Sequence, residues 1–288
     1  MTFSVRSLLP KVQIFRNDLE KEKSIFAIQE TVRKICRMTE FAQAQVQAYG
    51  TAGNALLDLT TPMATYGTVY RISKVRVFDP NMVNNNVVKT SVTLTPATSY
   101  KILTQGTSDF TLSGALNNYV GTSFTATATS AGTGTVAPDA NNALLGCYMT
   151  LSEGNQVRID NAVAYINYPT GFPAGWTYVG SNILQVYPTP DKQYNFEVTA
   201  SFIPVGEIDT IPLPLEAEEA IVAGATANLL MQPGPGQNLQ LAKDREVLHN
   251  REMDFLKASA LLGQSGRPRA MGPSFVGRIK QLYGTRWY

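Results

Sequence analysis

The sequence predicts an α+β protein. The expected architecture is an α-helical bundle (an N-terminal helix plus two C-terminal helices) with an inserted antiparallel β-barrel or sandwich and an extended C-terminal arm. Three observations predict it. Helical periodicity is confined to the two ends of the 288-residue chain, and β-branched strand patterns with turn signals fill its middle. The last stretch is rich in Gly, Pro, cations and aromatics. Boundaries are expected at 1–54 (helical segment), 55–206 (β-rich domain with a low-charge insertion at 93–145), 207–262 (helical hairpin) and 263–288 (arm).

The first helix is read from SIFAIQETVRKICRMTEFAQAQVQAYG. Ile25, Ile28, Val32, Ile35, Cys36 and Thr39 repeat at i, i+3, i+4, i+7, with Glu30, Arg33, Lys34 and Arg37 on the other face. Ser24 is the expected N-cap and Gly50 the expected terminator. Strands are expected at Thr68–Val77, Ser99–Leu103, Ser123–Thr129, Gln156–Ile159, Ala162–Asn167, Ile183–Tyr187 and Asn195–Ile203. Turn signals at Asp79-Pro80-Asn81 and Pro188-Thr189-Pro190-Asp191 separate them.

Between Thr93 and Leu145 only Lys101, Asp109 and Asp139 are charged, and Gly121 to Ala137 is mostly Gly, Ser, Thr and Ala. Two readings stay open: a flexible surface loop or long hairpin, and a β-arm that lies on a neighbouring subunit, where charge would be costly to desolvate. Pro214 is expected at a helix N1 position, with Glu216, Glu218 and Glu219 in the first turn. That helix runs to Pro233, with Ala217, Ala220, Ile221, Gly224, Ala227 and Asn228 near one face. A glycine inside a helix costs about 1 kcal/mol relative to alanine, so Gly224 predicts a close neighbour. After Pro233-Gly234-Pro235-Gly236, a second helix from about Asn238 to Leu262 carries a seam of Leu241, Leu248, Phe255 and Leu262.

The rare residues exclude function classes. Cys36, Cys147 and His249 cannot assemble a Cys/His zinc site without carboxylates. The two cysteines are read as reduced, buried thiols of a protein made in a reducing cytoplasm. The single histidine has no nucleophile or second ligand placed near it, and is read as structural or exposed. No nucleotide-binding, zinc-protease, serine-hydrolase or calcium motif is present. Glu218-Glu219 is explained by a helix N-terminus, and Asp58, Asp79, Asp160 and Asp191 by strand ends and turns. No apolar segment suits a signal peptide or a membrane span, so a soluble, non-secreted chain is expected.

Charge is sparse and sorted. Charged residues are 16% of the chain and the net charge is +2, which gives no bulk attraction for nucleic acid. Residues 1–38 carry +4, residues 39–262 carry −7, and residues 263–288 carry +5. In the last stretch Arg267, Arg269, Arg278, Lys280 and Arg286 alternate with Phe275, Tyr283, Trp287 and Tyr288 and no acid. These are the anchor types of an interaction arm that orders on binding.

The order of elements also carries a resemblance. Ala27–Thr39 reads AIQETVRKICRMT, Leu184–Pro204 reads LQVYPTPDKQYNFEVTASFIP, and Leu213–Gly234 reads LPLEAEEAIVAGATANLLMQPG. In this order and spacing they resemble the head–tail adaptor (connector) proteins of tailed bacteriophages, the tail tubular protein A-like group. The resemblance covers the N-terminal helix and roughly Trp176–Leu262; it does not extend to 93–145 or to the arm.

It implies a virion protein without enzymatic activity or cofactor. Such a protein forms a homo-oligomeric ring of typically twelve copies at the virion neck, is assembled in the host cytoplasm, and sits between the portal protein and the tail or nozzle protein. DNA would pass through the lumen without sequence-specific binding, and no membrane is involved. The expected portal-docking residues are Arg267, Arg269, Phe275, Arg278, Lys280, Tyr283, Arg286, Trp287 and Tyr288. The competing readings are another virion β-protein (tail tube, nozzle or head-decoration subunit), a carboxylate-dependent hydrolase using a residue such as Glu197 or Asp160, and a nucleic-acid module using the arm.

Overall fold

The computed structural model describes residues 3–154, 170–180 and 182–264, the last five for the backbone alone. The protein is α+β. Among the described residues there are five α-helices: α1 (Val5–Gln13), α2 (Lys21–Thr39), α3 (Thr60–Met63), α4 (Glu218–Met231) and α5 (Leu239–Gln264). The chain divides into two compact units. One takes the described residues up to Ala42 and from Gly206 onward; the other spans Gln43–Val205.

In the helical unit, α1 buries Val5, Leu8, Leu9 and Val12, a one-sided i, i+3, i+4, i+7 stripe. Ser4 caps it, its side chain accepting the Ser7 N–H at 3.2 Å. The sequence expectations placed no element here; Pro10 lies inside the helix, and the buried stripe offsets the lost backbone bond. In α2 the predicted face is buried at Ile28, Val32, Ile35, Cys36 and Thr39, while Ile25 is only half-buried. Its ends differ from expectation. It starts at Lys21, so Ser24 is an interior residue, buried and without a capping role. It stops at Thr39, where Glu40 turns left-handed at φ 57°.

The residues beyond that stop, Gln43–Gly50, form strand β2 of the other unit. QAQVQAYG alternates exposed and buried along its length, a period of two that helix-favouring Ala and Gln disguise. The boundary expected at residue 54 therefore lies at 42.

Helix α4 is buried almost all round. Pro214 is not at its N1 position: Leu215–Ala217 first make a 3-10 turn with Pro214 as its cap. Asn228, expected on the packed face, is exposed. Gly224 has the close neighbour its position demanded. A Cβ there would lie 2.7 Å from His249 Nδ1 and 2.8 Å from Thr31 Cγ2, so α2, α4 and α5 meet at this point. On α5 the buried stripe is Ala242, His249, Met253 and Leu256. The expected leucine seam is one residue off, and Phe255 is 59% exposed. A seven-residue repeat runs through both rows, and only packing against α4 selects the row with the histidine.

The β-rich unit contains three four-stranded sheets. The largest has the order β2–β15–β4–β9, with β4 at Thr68–Phe78, β9 at Tyr148–Thr150 and β15 at Tyr194–Ile203. All its pairings are antiparallel, and β2 runs beside β15 from Gln43↔Ser201 to Gly50↔Tyr194. Register shifts opposite Thr199–Ala200 and Ser201–Phe202 leave Ser73 and Tyr70 as extra residues in β4. These bulges space the buried Val69, Ile72 and Val75 by three and break the simple alternation. A second sheet joins β10 (Ser152–Glu153), β12 (Gly175–Gly180), β13 (Ile183–Tyr187) and β3 (Leu56–Asp58), with one parallel pair, β10–β12.

The third sheet joins three strands of the low-charge insertion, β8 (Thr135–Pro138), β6 (Ser99–Thr104) and β7 (Ser123–Thr125), to β5 (Lys89–Thr90) just before it, in the order β5–β8–β6–β7. It is a folded element, not a loop. Leu94, Tyr100, Ile102, Phe110, Phe124 and Val136 belong to a core of its own. Only the first three residues of the expected Ser123–Thr129 strand are extended in the sheet. None of the sheets among the described residues closes into a barrel: each keeps two edge strands. The strands expected at 156–159 and 162–167 lie outside the described residues.

Candidate functional surfaces

The insertion's three charges are all engaged by the insertion and its immediate neighbours. Lys101 and Asp139 form a buried ion pair, Nζ to Oδ2 at 3.2 Å, with side-chain exposures of 4% and 2%. Lys101 also donates to the Tyr148 hydroxyl at 3.0 Å and lies 5.3 Å from the centre of the Phe78 ring. Asp139 accepts from Ser123 Oγ at 2.9 Å and from the Leu144 N–H at 3.2 Å. Asp109 accepts from the Thr111 N–H and hydroxyl and from Asn118 Nδ2; these bonds hold its carboxyl below the usual range. Asp109 stays exposed among Thr and Ser side chains, and Leu112 and Leu116 are 77% and 80% exposed.

The helical unit has a cleft of about 530 Å³. Its floor is apolar, made by Ile14 and Phe15 after α1, Leu215 before α4, and Val222 and Ala223 on α4. Ile14 is 77% exposed. Arg245 of α5 closes one side, its guanidinium 4.3 Å over the Phe15 ring. Lys11 is paired with Glu218. Glu216 and Glu219 stand at the rim, exposed and without an ion-pair partner among the described residues.

Below the α4 C-terminus lies a second buried cation. Arg16 grips Asp18 with two bonds, 2.8 Å from Nε and 3.0 Å from Nη2, and gives Nη1 to the carbonyls of Leu229 and Gln232 at 2.8 and 3.0 Å. The Arg16 bonds hold the Asp18 carboxyl below its ordinary value. The glycines of the Pro-Gly-Pro-Gly turn fit against this pair, since a Cβ on Gly236 would come within 2.7 Å of Asp18 Oδ1. Sequence reading found neither this bracket nor the cleft. The one available signal was an adjacent Ile14-Phe15 pair among charges, which a linear pattern cannot distinguish from a core position.

The residues singled out for chemistry have structural duties. His249 is 2% exposed. Its Nδ1–H donates to the Ala220 carbonyl at 2.8 Å, and Nε2 has no partner. Burial holds its pKa below the ordinary 6.5. Glu197 pairs across the sheet with Arg76 and accepts from Gln45 Nε2 at 3.0 Å. Asp58 caps the Thr60 N–H at 2.8 Å, and Asp79 the Asn81 N–H at 2.9 Å. Asp191 accepts the Tyr194 hydroxyl at 2.8 Å.

Both cysteines are free. Cys36 is buried and its thiol is pushed up to about 12 by desolvation. Cys147 is half-buried, not buried as expected. Among the described residues no three His, Cys, Asp or Glu side chains gather as a metal-binding group, and no helix is long and apolar enough to cross a membrane.

Asp160 and the whole expected docking set (Arg267, Arg269, Phe275, Arg278, Lys280, Tyr283, Arg286, Trp287 and Tyr288) lie outside the described residues. No protein-family model matches the chain, and no curated protein matches it.

Proposed function

We propose that the chain is a structural virion protein, a head-to-tail adaptor subunit of a tailed bacteriophage. In this reading its helices form a bundle carrying an inserted β-sandwich, and about twelve copies close into a ring at the virion neck between portal and tail. The ring lumen passes DNA without reading its sequence, and residues 263–288 dock on the portal. The chain is assembled in the host cytoplasm and has no catalytic or cofactor role.

The observation that carries the reading is the insertion face. Its charges are neutralised or hydrogen-bonded locally, while Leu112 and Leu116 are left bare. A surface in permanent contact with like subunits needs that arrangement, because burying unpaired charge costs more than burying leucine. The sequence resemblance supplies the partner class.

The test is projection imaging of the purified chain mixed with portal particles. Closed rings of about a dozen copies on the portal are expected. Leu112→Glu with Leu116→Glu should leave soluble, folded subunits that no longer close rings. A chain found in the capsid lattice or the tail tube, or absent from portal particles, overturns the reading.

A further inference from the structure

The helical-unit cleft is an apolar floor left open to water, and the chain itself contains a segment with complementary chemistry. Ile14 and Leu215 are 77% and 48% exposed, beside the unpaired Glu216 and Glu219. After Gln264, the last described residue of α5, 24 residues follow with five cations, no acid and four aromatics.

We propose that residues 265–288 dock in this cleft of their own chain. Phe275 covers the Ile14–Leu215 floor, and Arg278 and Lys280 face Glu216 and Glu219. The proposal is independent of the adaptor reading.

Length permits it. Arg245, at the cleft wall, lies nineteen residues back along α5 from Gln264, about 29 Å at 1.5 Å per residue. Phe275 is eleven residues beyond Gln264, a reach of roughly 36 Å when extended. It is the first aromatic after Gln264, so docking it needs no more chain than is present.

Charge selects the same partner. The Lys11–Glu218 pair is closed and Arg245 is stacked on Phe15. With Arg245 turned onto Phe15, the charged groups at the rim sum to −1 and its two carboxylates without an ion-pair partner among the described residues are Glu216 and Glu219, while residues 263–288 hold five cations and no acid. Two aromatic–apolar and cation–carboxylate contacts made within one chain avoid the entropy of association. Docked in this way, the arm is withheld from other surfaces until something displaces it.

Chymotrypsin cleavage after Phe275 in the full-length protein tests the proposal. Docking predicts slow cleavage that is unchanged on hundredfold dilution. Glu216→Lys with Glu219→Lys should speed it about fivefold, the combined effect of two exposed ion pairs. Adding Arg278→Glu and Lys280→Glu to that variant should restore slow cleavage, which a merely unfolded variant cannot do. Equal rates in the wild-type and charge-reversed proteins overturn the proposal. Protection that disappears on dilution also overturns it, because the occupant is then the arm of another copy.

Discussion

The helical unit and the β-rich insertion each bury one cation, and they neutralise it differently. Arg16 spends its planar fork on one carboxylate and two backbone carbonyls, and so ties a helix end and a glycine turn together. Lys101 is a point charge. It needs the Asp139 carboxylate directly, with a phenol and ring faces around it. The first device joins the segment after α1 to the end of α4 and the turn beyond it, and half of it, Asp18, reaches the surface. The second is closed, and keeps both of its charges off the surface, where Asp109 alone of the insertion's charged residues is exposed. The same residue class thus serves as a fastener in one unit and is a charge kept off the surface in the other.

The comparison can be broken most sharply at Asp139. Asp139→Asn strands the Lys101 ammonium inside the insertion and is expected to cost about 3–5 kcal/mol in denaturant unfolding. Lys101→Met with Asp139→Leu should lose far less, because it removes both charges together. If the single and double variants unfold alike, Asp139 is not what neutralises the buried Lys101 charge.

Arg16→Ala should cost about 2–3 kcal/mol by orphaning two carbonyls, with the loss confined to the helical unit's transition. Hydrogen exchange at Gln232–Asn238 reads this directly, and Arg16→Lys should recover only part of the protection.

Gly224→Ala is smaller, about 1–2 kcal/mol, because the methyl group must displace His249 or Thr31 while gaining helix propensity. A thermal melt that is unchanged or raised would contradict the close approach.

The mildest effect is that of pH. His249 titrates below 6.5 when folded, so the unfolded chain binds its proton first. The contribution of neutral His249 is complete above about 6.5 and declines as pH falls below it. Asp18 and Asp109 are held below 3.8 and add their losses only in more acid solution. The stability slope between pH 7.5 and 5.5 should therefore flatten in His249→Asn.

Residues whose periodicity is local were readable. The α2 face, the β13 span and the strand character of β4 and β15 follow from their own ten or twenty residues. The reading failed where a distant partner decides. Gln43–Gly50 is a strand because Tyr194–Ser201 lies beside it, about 150 residues away, although its composition favours helix. His249 is in the packed row because Gly224 leaves room for it. The cleft and the Arg16 bracket join residues more than 200 positions apart, and no linear pattern encodes such a meeting. The low charge of the insertion was legible; that its only cation would be matched to its own carboxylate was not.

The side-by-side pairing of β2 and β15 also has a consequence for how the chain finds its shape. It brings Gln43 next to Ser201, so the 163 residues of Gln43–Val205 close on themselves near where the chain leaves and rejoins the helical half. To the helices, that long excursion then behaves as a tether of a few residues. Shortening the effective loop from 163 to about five residues lowers the closure entropy by about 3 kcal/mol. Folding should consequently be ordered: the strands zip first, and α1 and α2 can then recruit α4 and α5 without searching the volume of a long open chain. A replacement cassette of any sequence whose two ends lie one strand apart should serve the helices equally well.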